Sequence, residues 1–218
     1  MAKKPVKSKK PAINEGFSKK EAIDYGFKLA KENLFFFVTL FIIVLLISAA
    51  RLVLEASTVH IPFMAFIVWL LQVAMDLVIG IGFIQITLKF LDKKKPKYED
   101  LFYYKPILNY FLTSFLTGLI VIGGLILLII PGIYLAIRLK YAVYLVVDKN
   151  LGPIEAIKAG WKITHGNVWN LFFFGILLFL INVLGALCLL LGLFVTVPLS
   201  MLATTFVYRK LLLQSKAA

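Results

Sequence analysis

The sequence is poor in charged residues and in cysteine. Of its 218 residues only 16% are charged, where soluble domains average about a quarter, and 61% are apolar. The single cysteine, Cys188, excludes an intrachain disulfide and a cysteine-based zinc site. The many large apolar residues exclude a disordered chain, which needs few of them. This composition predicts a membrane protein.

Long stretches without a charged residue predict the membrane-spanning helices. A bilayer core of about 30 Å requires about 20 apolar residues in a helix. The uncharged stretch over 166–208 is too long for one such helix, so we place a turn near 189–192. Pro131-Gly132 is typical of a turn and divides a second long block. The predicted fold is an all-α polytopic bundle of six transmembrane helices, at about 34–53, 61–88, 106–130, 132–147, 168–189 and 193–211.

Lysine and arginine residues are concentrated on one side of this predicted bundle. They lie before the first span, between the second and third, between the fourth and fifth, and after the sixth, whereas the opposite loops carry only Arg51. Because basic residues favour the cytoplasmic side, we expect both termini in the cytoplasm. The net charge of +13 then follows the topology, and no nucleic-acid partner is expected.

The N-terminal segment 1–17 is rich in lysine and has little to bury. We interpret it as a basic disordered tail, followed by a single transmembrane domain over 18–218. Near an anionic leaflet each lysine contributes about 1 kcal/mol of attraction. The expected partner is therefore the lipid bilayer, with anionic lipids at its cytoplasmic face. A tail that only improves solubility or sets the topology is the alternative.

Two similar segments precede the first and the fifth predicted spans. Residues 21–33 read EAIDYGFKLAKEN and residues 155–167 read EAIKAGWKITHGN, with Phe27 opposite Trp161. Each has an apolar face at helical spacing and predicts an amphipathic helix at the cytoplasmic interface, anchored by these aromatic residues. An even number of predicted spans separates them, which indicates a parallel internal repeat, with a weaker third copy near Tyr98. Packing on the bundle as structural elbows is the alternative to lying in the interface.

Three charged residues fall inside the predicted spans and away from their ends: Asp76 in the second, and Arg138 and Lys140 in the fourth. A charge at the centre of a bilayer costs at least about 2.5–3.5 kcal/mol, so such residues usually face a partner or water. They form the candidate site, either as a polar pathway or anionic-ligand site, or as a structural pair; a Lys140 that extends to the cytoplasmic surface is a further alternative. From the helical rise we predict that Asp76 faces the bundle interior and meets Lys140 or Arg138.

The sequence offers little for catalysis or for metal binding. His60 and His165 lie on opposite sides of the predicted membrane and cannot share a metal ion. Asp148 and His165 share the cytoplasmic side but lack a nucleophile. HExxH, P-loop and GxSxG motifs are absent. We therefore expect that the protein is not an enzyme and has no catalytic residues, no metal site and no cofactor.

Three local patterns resemble a known family: PGIYLAIRLKYAVYLVVDKNLGP at 131–153, EAIKAGWKITHGN at 155–167 and VPLSMLATTFVYRKL at 197–211. They are similar to the bacterial six-span membrane family related to the membrane domain of glycerophosphoryl diester phosphodiesterases and to its stand-alone relatives of unknown function. Gly160 stands where that family commonly has a serine. The resemblance implies a helical fold in the inner membrane of a bacterial cell. It implies no activity, because the phosphodiesterase chemistry of such fusions belongs to a separate soluble domain.

These observations leave two hypotheses for the function. The first is transport or handling of an anionic lipid or small anion, favoured by the charges in the spans and by the basic interfacial helices. The second is a non-transporting accessory or scaffold protein that binds a membrane partner, favoured by the lack of an extended polar path. A cavity that reaches Asp76 or Arg138 favours the first, and a tight bundle with those charges paired favours the second.

Overall fold

The computed structural model describes residues 17–58, 60–188 and 191–217. The predicted tail lies outside the described residues except for Phe17, and so does part of the predicted turn near 189–192. Phe17 is buried and packs edge-to-face on Phe174, with the ring centroids 5.6 Å apart. The folded part of the chain therefore includes Phe17, which the sequence analysis assigned to the tail.

The described elements are helices. Five helical segments are long and apolar enough to cross a bilayer, which makes the chain a multi-pass membrane protein. The α-helices are α1 Lys19–Glu32, α2 Leu34–Thr58, α3 Pro62–Leu91, α4 Ile107–Leu127, α5 Ile129–Leu139, α6 Ala142–Lys149, α7 Pro153–Ile163, α8 Val168–Leu187 and α9 Leu193–Ala217, and a 3-10 helix spans Tyr98–Phe102. The five apolar segments are α2, α3, α4, α5 taken together with α6, and α8; α9 is long but carries Arg209 and Lys210 in its second half.

The turn between α4 and α5 lies at Leu128, so the predicted turn at Pro131-Gly132 is wrong. Leu128 is extended, with φ −164° and ψ 150°, and α5 begins immediately after it. Pro131 lies in the first turn of α5, where its missing N–H removes no helical hydrogen bond. Gly132 serves close packing instead, because a Cβ there would lie 2.4 Å from the side chain of Leu125 in α4.

Three short segments dock on longer helices at one end of the bundle, which we call the lysine-rich end because it carries α1 and the loop 92–97. α1 lies along α9, with Gly26 against the α9 backbone. The 3-10 helix lies on α3, where Gly82 leaves room for the backbone of Leu101. α7 lies on α6, with Gly160 against the first residue of that helix. Small residues thus allow the close approach of each docked segment.

The three helices on which these segments dock, α3, α6 and α9, meet at the centre of the bundle. The buried hydroxyl of Thr205 in α9 donates to that of Thr87 in α3 at 2.9 Å. The phenol of Tyr208 in α9 donates to Asp148 in α6, also at 2.9 Å. The surrounding core is apolar and includes Ile81, Ile86, Leu145, Val146, Leu202 and Leu211. Burial is therefore concentrated towards the lysine-rich end, whereas the halves of α2 and α3 farther from it are mostly exposed.

Candidate functional site

A cleft of about 580 Å³ lies at the lysine-rich end, between α1, α2 and the end of α3. We call it the basic cleft. Its polar lining consists of four lysines, one glutamate and one asparagine: Lys28, Lys93, Lys94, Lys95, Glu32 and Asn33. Its apolar wall consists of Tyr25, Leu29, Phe36, Phe90 and Pro96. The cleft therefore combines positive charge with an apolar surface.

The end of α3 brings three of these lysines to the cleft. The chain reverses through Lys93, whose φ of 56° lies in the left-handed region. The N–H of Lys94 donates to the carbonyl oxygen of Lys89, five residues earlier in the chain, at 2.9 Å. This hydrogen bond is common where a helix ends in a residue with left-handed backbone conformation. Because of this reversal, Lys93, Lys94 and Lys95 line the cleft.

Aromatic contacts fix the apolar wall. The ring of Phe36 stacks on Tyr98, with centroids 4.7 Å apart, and meets Phe90 edge-on at 5.6 Å. Phe37, which is fully buried, stacks on the same Phe90 at 5.3 Å. Such aromatic pairs are worth about 0.5–1.5 kcal/mol each beyond the area they bury. The wall is therefore a preformed surface.

The lysines of the basic cleft have no acidic partner among the described residues. Their charges are thus available to an anion. Burial, followed by repulsion from Glu32, raises the pKa of the Tyr25 phenol at the cleft. Tyr25 therefore keeps its proton at neutral pH and can donate a hydrogen bond to an anionic oxygen.

A second polar cluster, which we call the central junction, joins the ends of α3, α6 and α9. The Asp148 carboxylate accepts hydrogen bonds from Tyr208 and Arg209, each at 2.9 Å, and Lys149 lies 3.2 Å away. Arg209 also pairs with Asp92 at 2.9 Å. From the sequence, Asp148 was considered only with His165, and Arg209 falls at the end of the sixth predicted span, 193–211. The sequence signal that could have predicted this cluster was the presence of charged residues at the ends of three predicted helices on the same side of the membrane.

Asp76 is paired with Arg51, so the predicted meeting with Lys140 or Arg138 is wrong. The Nη1 and Nη2 atoms of Arg51 donate to the two carboxylate oxygens of Asp76 at 2.5 and 3.2 Å. α2 runs to Thr58, so Arg51 belongs to the helix and can meet α3 directly. The Asp76 side chain is 58% exposed, and it therefore does not face the bundle interior.

Arg138 and Lys140 reach different parts of the bundle. The buried guanidinium of Arg138 lies over the indole of Trp161, 4.0 Å from the ring centroid, a stacking that is favourable for a cation. The Arg138 carbonyl accepts a hydrogen bond from Thr164 at 3.1 Å, which ties α5 to the end of α7. Lys140 lies in the turn that separates α5 from α6 and lines a groove between α5 and α8. The fourth predicted span is therefore divided at Lys140 and Tyr141.

Phe27 and Trp161 occupy corresponding positions on α1 and α7. Their side chains are half-exposed, at 49% and 39%, so both rings lie at the edge of the bundle. The buried faces beside them are mostly small residues: Ala22, Gly26 and Ala30 on α1, and Ala156 and Gly160, with Ile163, on α7. This packing supports the structural-elbow alternative. The role of the two rings as interfacial anchors stays a prediction.

The fold defines the class of the protein as a multi-pass helical membrane protein. Comparison of the chain with protein-family models, with curated proteins and with solved structures finds no match. The function must therefore be argued from the site. The basic cleft has the most specific chemistry of the features above, because unpaired cations beside an apolar wall suit an amphiphilic anion.

Proposed function

We propose that the protein binds anionic lipid headgroups at the cytoplasmic face of a bacterial inner membrane, through the basic cleft. The observation that carries this proposal is the presence of four lysines without acidic partners beside an aromatic wall. A phosphate-bearing headgroup is attracted by the lysines at about 1 kcal/mol each. The apolar part of the same lipid covers the wall, which a soluble anion would leave in water.

Lipid binding fits the charged residues better than transport does. Asp76 is compensated by Arg51, whereas Arg138 stacks on Trp161 and its buried Nε has no hydrogen-bond partner among the described residues. Neither residue lines the basic cleft. The proposed activity is therefore the handling of an anionic lipid without a path through the bundle, by a protein that is not an enzyme.

An accessory role is the second candidate. The observation that favours it is the exposure of the halves of α2 and α3 remote from the lysine-rich end. Among the described residues between Phe41 and Gly80, Val68 is the one that is buried. A membrane partner could cover this surface. Lipid binding and such a partner are compatible, because they use opposite ends of the same helices.

We also propose six spans built from three units, each a docking segment followed by a helical hairpin. The units are α1 to α3, the 3-10 helix to α6, and α7 to α9. Each docking segment packs on the last helix of another unit: α1 on α9, the 3-10 helix on α3, and α7 on α6. This cyclic order supports the internal repeat with its third copy near Tyr98, and it supports the proposal that both termini lie on the lysine-rich side.

The decisive experiment removes the four cleft lysines together. The test variant changes Lys28, Lys93, Lys94 and Lys95 to glutamine. The matched control removes the same charge from exposed lysines at that end which do not line the cleft: Lys20, Lys31, Lys158 and Lys162. Lipids retained from vesicles containing equal amounts of phosphatidylglycerol and phosphatidylcholine are counted by native mass spectrometry.

We expect the wild-type protein and the control to retain phosphatidylglycerol preferentially, and the cleft variant to lose this preference. An equal loss in both variants would show that general surface charge is responsible, and retention of the preference by the cleft variant would reject the cleft as the site.

A further inference from the structure

A second groove lies between α5 and α8, away from the basic cleft, with a volume of about 410 Å³. Its lining is apolar and aromatic except for Lys140. No carboxylate among the described residues pairs with Lys140, whose Nζ lies 6.0 Å from the centroid of the Tyr141 ring. We call this feature the lateral groove. Because Lys140 is exposed at its edge, the charge is available to an anion.

The lateral groove has a polarity along the membrane normal. α5 runs towards the lysine-rich end, so Lys140 lies closer to that end than the α5 wall formed by Ile133 and Ile137. α8 starts at the same end, since Asn167, which precedes it, bonds to Gln214 near the end of α9. The α8 wall runs away from that end from Leu171 to Phe179, about 12 Å at 1.5 Å per residue. The charged end of the groove therefore points towards the lysine-rich end of the bundle, and its apolar end points away from it.

The groove also has free space at its floor. Gly175 lines it, and a Cβ built on Gly175 meets no atom within 4 Å. Phe172 and Phe179, one turn before and one turn after Gly175, provide aromatic walls on the same helix. An acyl chain is the flexible apolar ligand that fits such a surface, whereas a small soluble anion would leave it uncovered.

We propose that the lateral groove is a binding site for an anionic phospholipid of the adjacent leaflet, with the phosphate at Lys140 and one acyl chain along α8 past Gly175. Charge complementarity selects an anionic over a zwitterionic lipid, and the direction of the groove matches the orientation of a lipid in the leaflet next to the lysine-rich end. The site is separate from the basic cleft and does not depend on the function proposed for it.

The test uses the full-length protein in nanodiscs that contain a phospholipid with a photoreactive diazirine in its acyl chain. One preparation carries the diazirine on phosphatidylglycerol and the other on phosphatidylcholine. After irradiation, lipid adducts on α5 and α8 are mapped by peptide mass spectrometry. We expect at least a five-fold preference for phosphatidylglycerol adducts around Phe172 and Ile176 in the wild-type protein.

Three substitutions sharpen the test. Lys140→Gln should reduce phosphatidylglycerol labelling to the phosphatidylcholine level, and Lys140→Arg should retain it. Gly175→Leu should reduce labelling of the groove by either lipid, because the side chain occupies the open space above Gly175. Gly118→Leu in α4 is the matched control, since a Cβ at Gly118 also meets no atom within 4 Å and this residue does not line the groove.

Equal labelling by the two lipids in the wild-type protein would overturn the proposal, because the groove would then be ordinary lipid-facing surface. Unchanged labelling in Lys140→Gln or in Gly175→Leu would also overturn it. If Lys140→Gln does not fold, Gly175→Leu decides. The cleft variant that lacks Lys28, Lys93, Lys94 and Lys95 should label the groove normally, which separates failure of this proposal from failure of the proposed function.

Discussion

Asp148 is the buried acid on which the central junction depends. Its side chain is 9% exposed, and Arg209 provides the cation that links it to Asp92. Removal of one member of a buried pair leaves an uncompensated charge, which typically costs about 3–5 kcal/mol. Because Tyr208 and Lys149 still contact Asp148, we expect Arg209→Gln to destabilise the protein by about 3 kcal/mol, measured by unfolding in detergent.

The control for this prediction is Asp92→Asn. The Asp92 side chain is 39% exposed, so its ion pair should contribute at most about 1 kcal/mol. The double variant Arg209→Gln, Asp148→Asn should recover part of the loss, because it removes the orphaned charge. Equal destabilisation by Arg209→Gln and Asp92→Asn would show that Asp148 is not the important partner.

A double-mutant cycle tests the partner of Asp76. Residues in contact show coupling energies of about 0.5–3 kcal/mol, whereas distant residues are nearly additive. We expect Asp76→Asn and Arg51→Gln to be coupled in this range, since the two side chains form two hydrogen bonds. The pair Asp76→Asn and Lys140→Gln should be additive. Coupling of Asp76 to Lys140 instead would restore the pairing predicted from sequence.

The sequence identified Asp76, Arg138 and Lys140 as unusual, but it could not identify their partners. Depth along a helix follows from residue number, whereas the face that a side chain occupies depends on which helices are neighbours. Arg51 was assigned to a loop because the uncharged stretch stops before it, although the helix continues to Thr58. Trp161 was expected at the membrane surface, and its stacking with Arg138 required the packing of α7 on α5.

At the scale of single elements, glycines determine how closely the docked segments approach. A Cβ on Gly82 would lie 2.0 Å from the backbone oxygen of Leu101, and one on Gly26 would lie 2.7 Å from that of Leu199. Overpacking of this kind typically costs about 1–3 kcal/mol. We expect Gly82→Ala to destabilise the protein most and Gly26→Ala less, as measured by thermal unfolding.

Gly118→Ala provides the comparison, because open space surrounds that position in α4. Alanine is favoured over glycine in a helix by about 1 kcal/mol, so this variant should be neutral or slightly stabilised. Destabilisation of all three variants by the same amount would mean that helix flexibility, and not close packing, is what these glycines provide.

The docking of the 3-10 helix on α3 should depend on pH through Asp100. The Asp100 carboxylate accepts hydrogen bonds from Lys89 Nζ at 2.6 Å and from the Lys97 N–H at 2.8 Å. Burial alone would raise the pKa of Asp100, but these hydrogen bonds and the two lysine charges outweigh it, and the pKa is lowered. The folded state thus favours the carboxylate. Its stabilisation is present above the unfolded-state pKa of about 3.9 and is lost as the pH falls through the lower folded-state pKa.

The measurement compares the unfolding temperatures of the wild-type protein and Asp100→Asn between pH 7 and pH 3. We expect Asp100→Asn to be less stable than the wild-type protein at neutral pH. The difference between their unfolding temperatures should decrease as the pH is lowered to 3. A difference that is independent of pH would assign the effect to the hydrogen bonds alone.

Local patterns predicted the elements better than their ends. Serine followed three residues later by glutamate is a typical start of a helix, and the Ser18 hydroxyl accepts a hydrogen bond from the Glu21 N–H at 3.3 Å at the start of α1. Pro131-Gly132 misled the prediction because proline is compatible both with a turn and with the first turn of a helix. Only the packing of Gly132 on α4 distinguishes the two, and that packing is a tertiary contact.

At the scale of the whole molecule, the sequence could not predict how the three units, α1 to α3, the 3-10 helix to α6 and α7 to α9, pack on one another. The similarity of 21–33 to 155–167 indicated two related helices, but not the helix on which each docks. The basic cleft was likewise not predicted, because its lysines come from α1 and from the reversal after α3, which are distant in sequence. The general excess of lysine on one side was visible, and it predicted an anionic partner without locating a site for it.

The topology depends on whether α9 crosses the membrane, because its hydropathy alone leaves five candidate spans. The start of α8 lies beside Gln214, which is near the end of α9. α9 is therefore antiparallel to α8 and ends on the side of the membrane on which α8 begins. Arg209 and Lys210 near the end of α9 meet Asp92, Asp148 and Glu21, which belong to the lysine-rich end.

We therefore expect reporters fused after Lys95 and after Ala218 to be on the same, cytoplasmic side of the membrane. A reporter inserted at Val59, which lies outside the described residues, should be on the other side. A reporter after Ala218 on the side opposite to Lys95 would mean five spans, and a Lys95 reporter outside the cell would contradict the topology altogether.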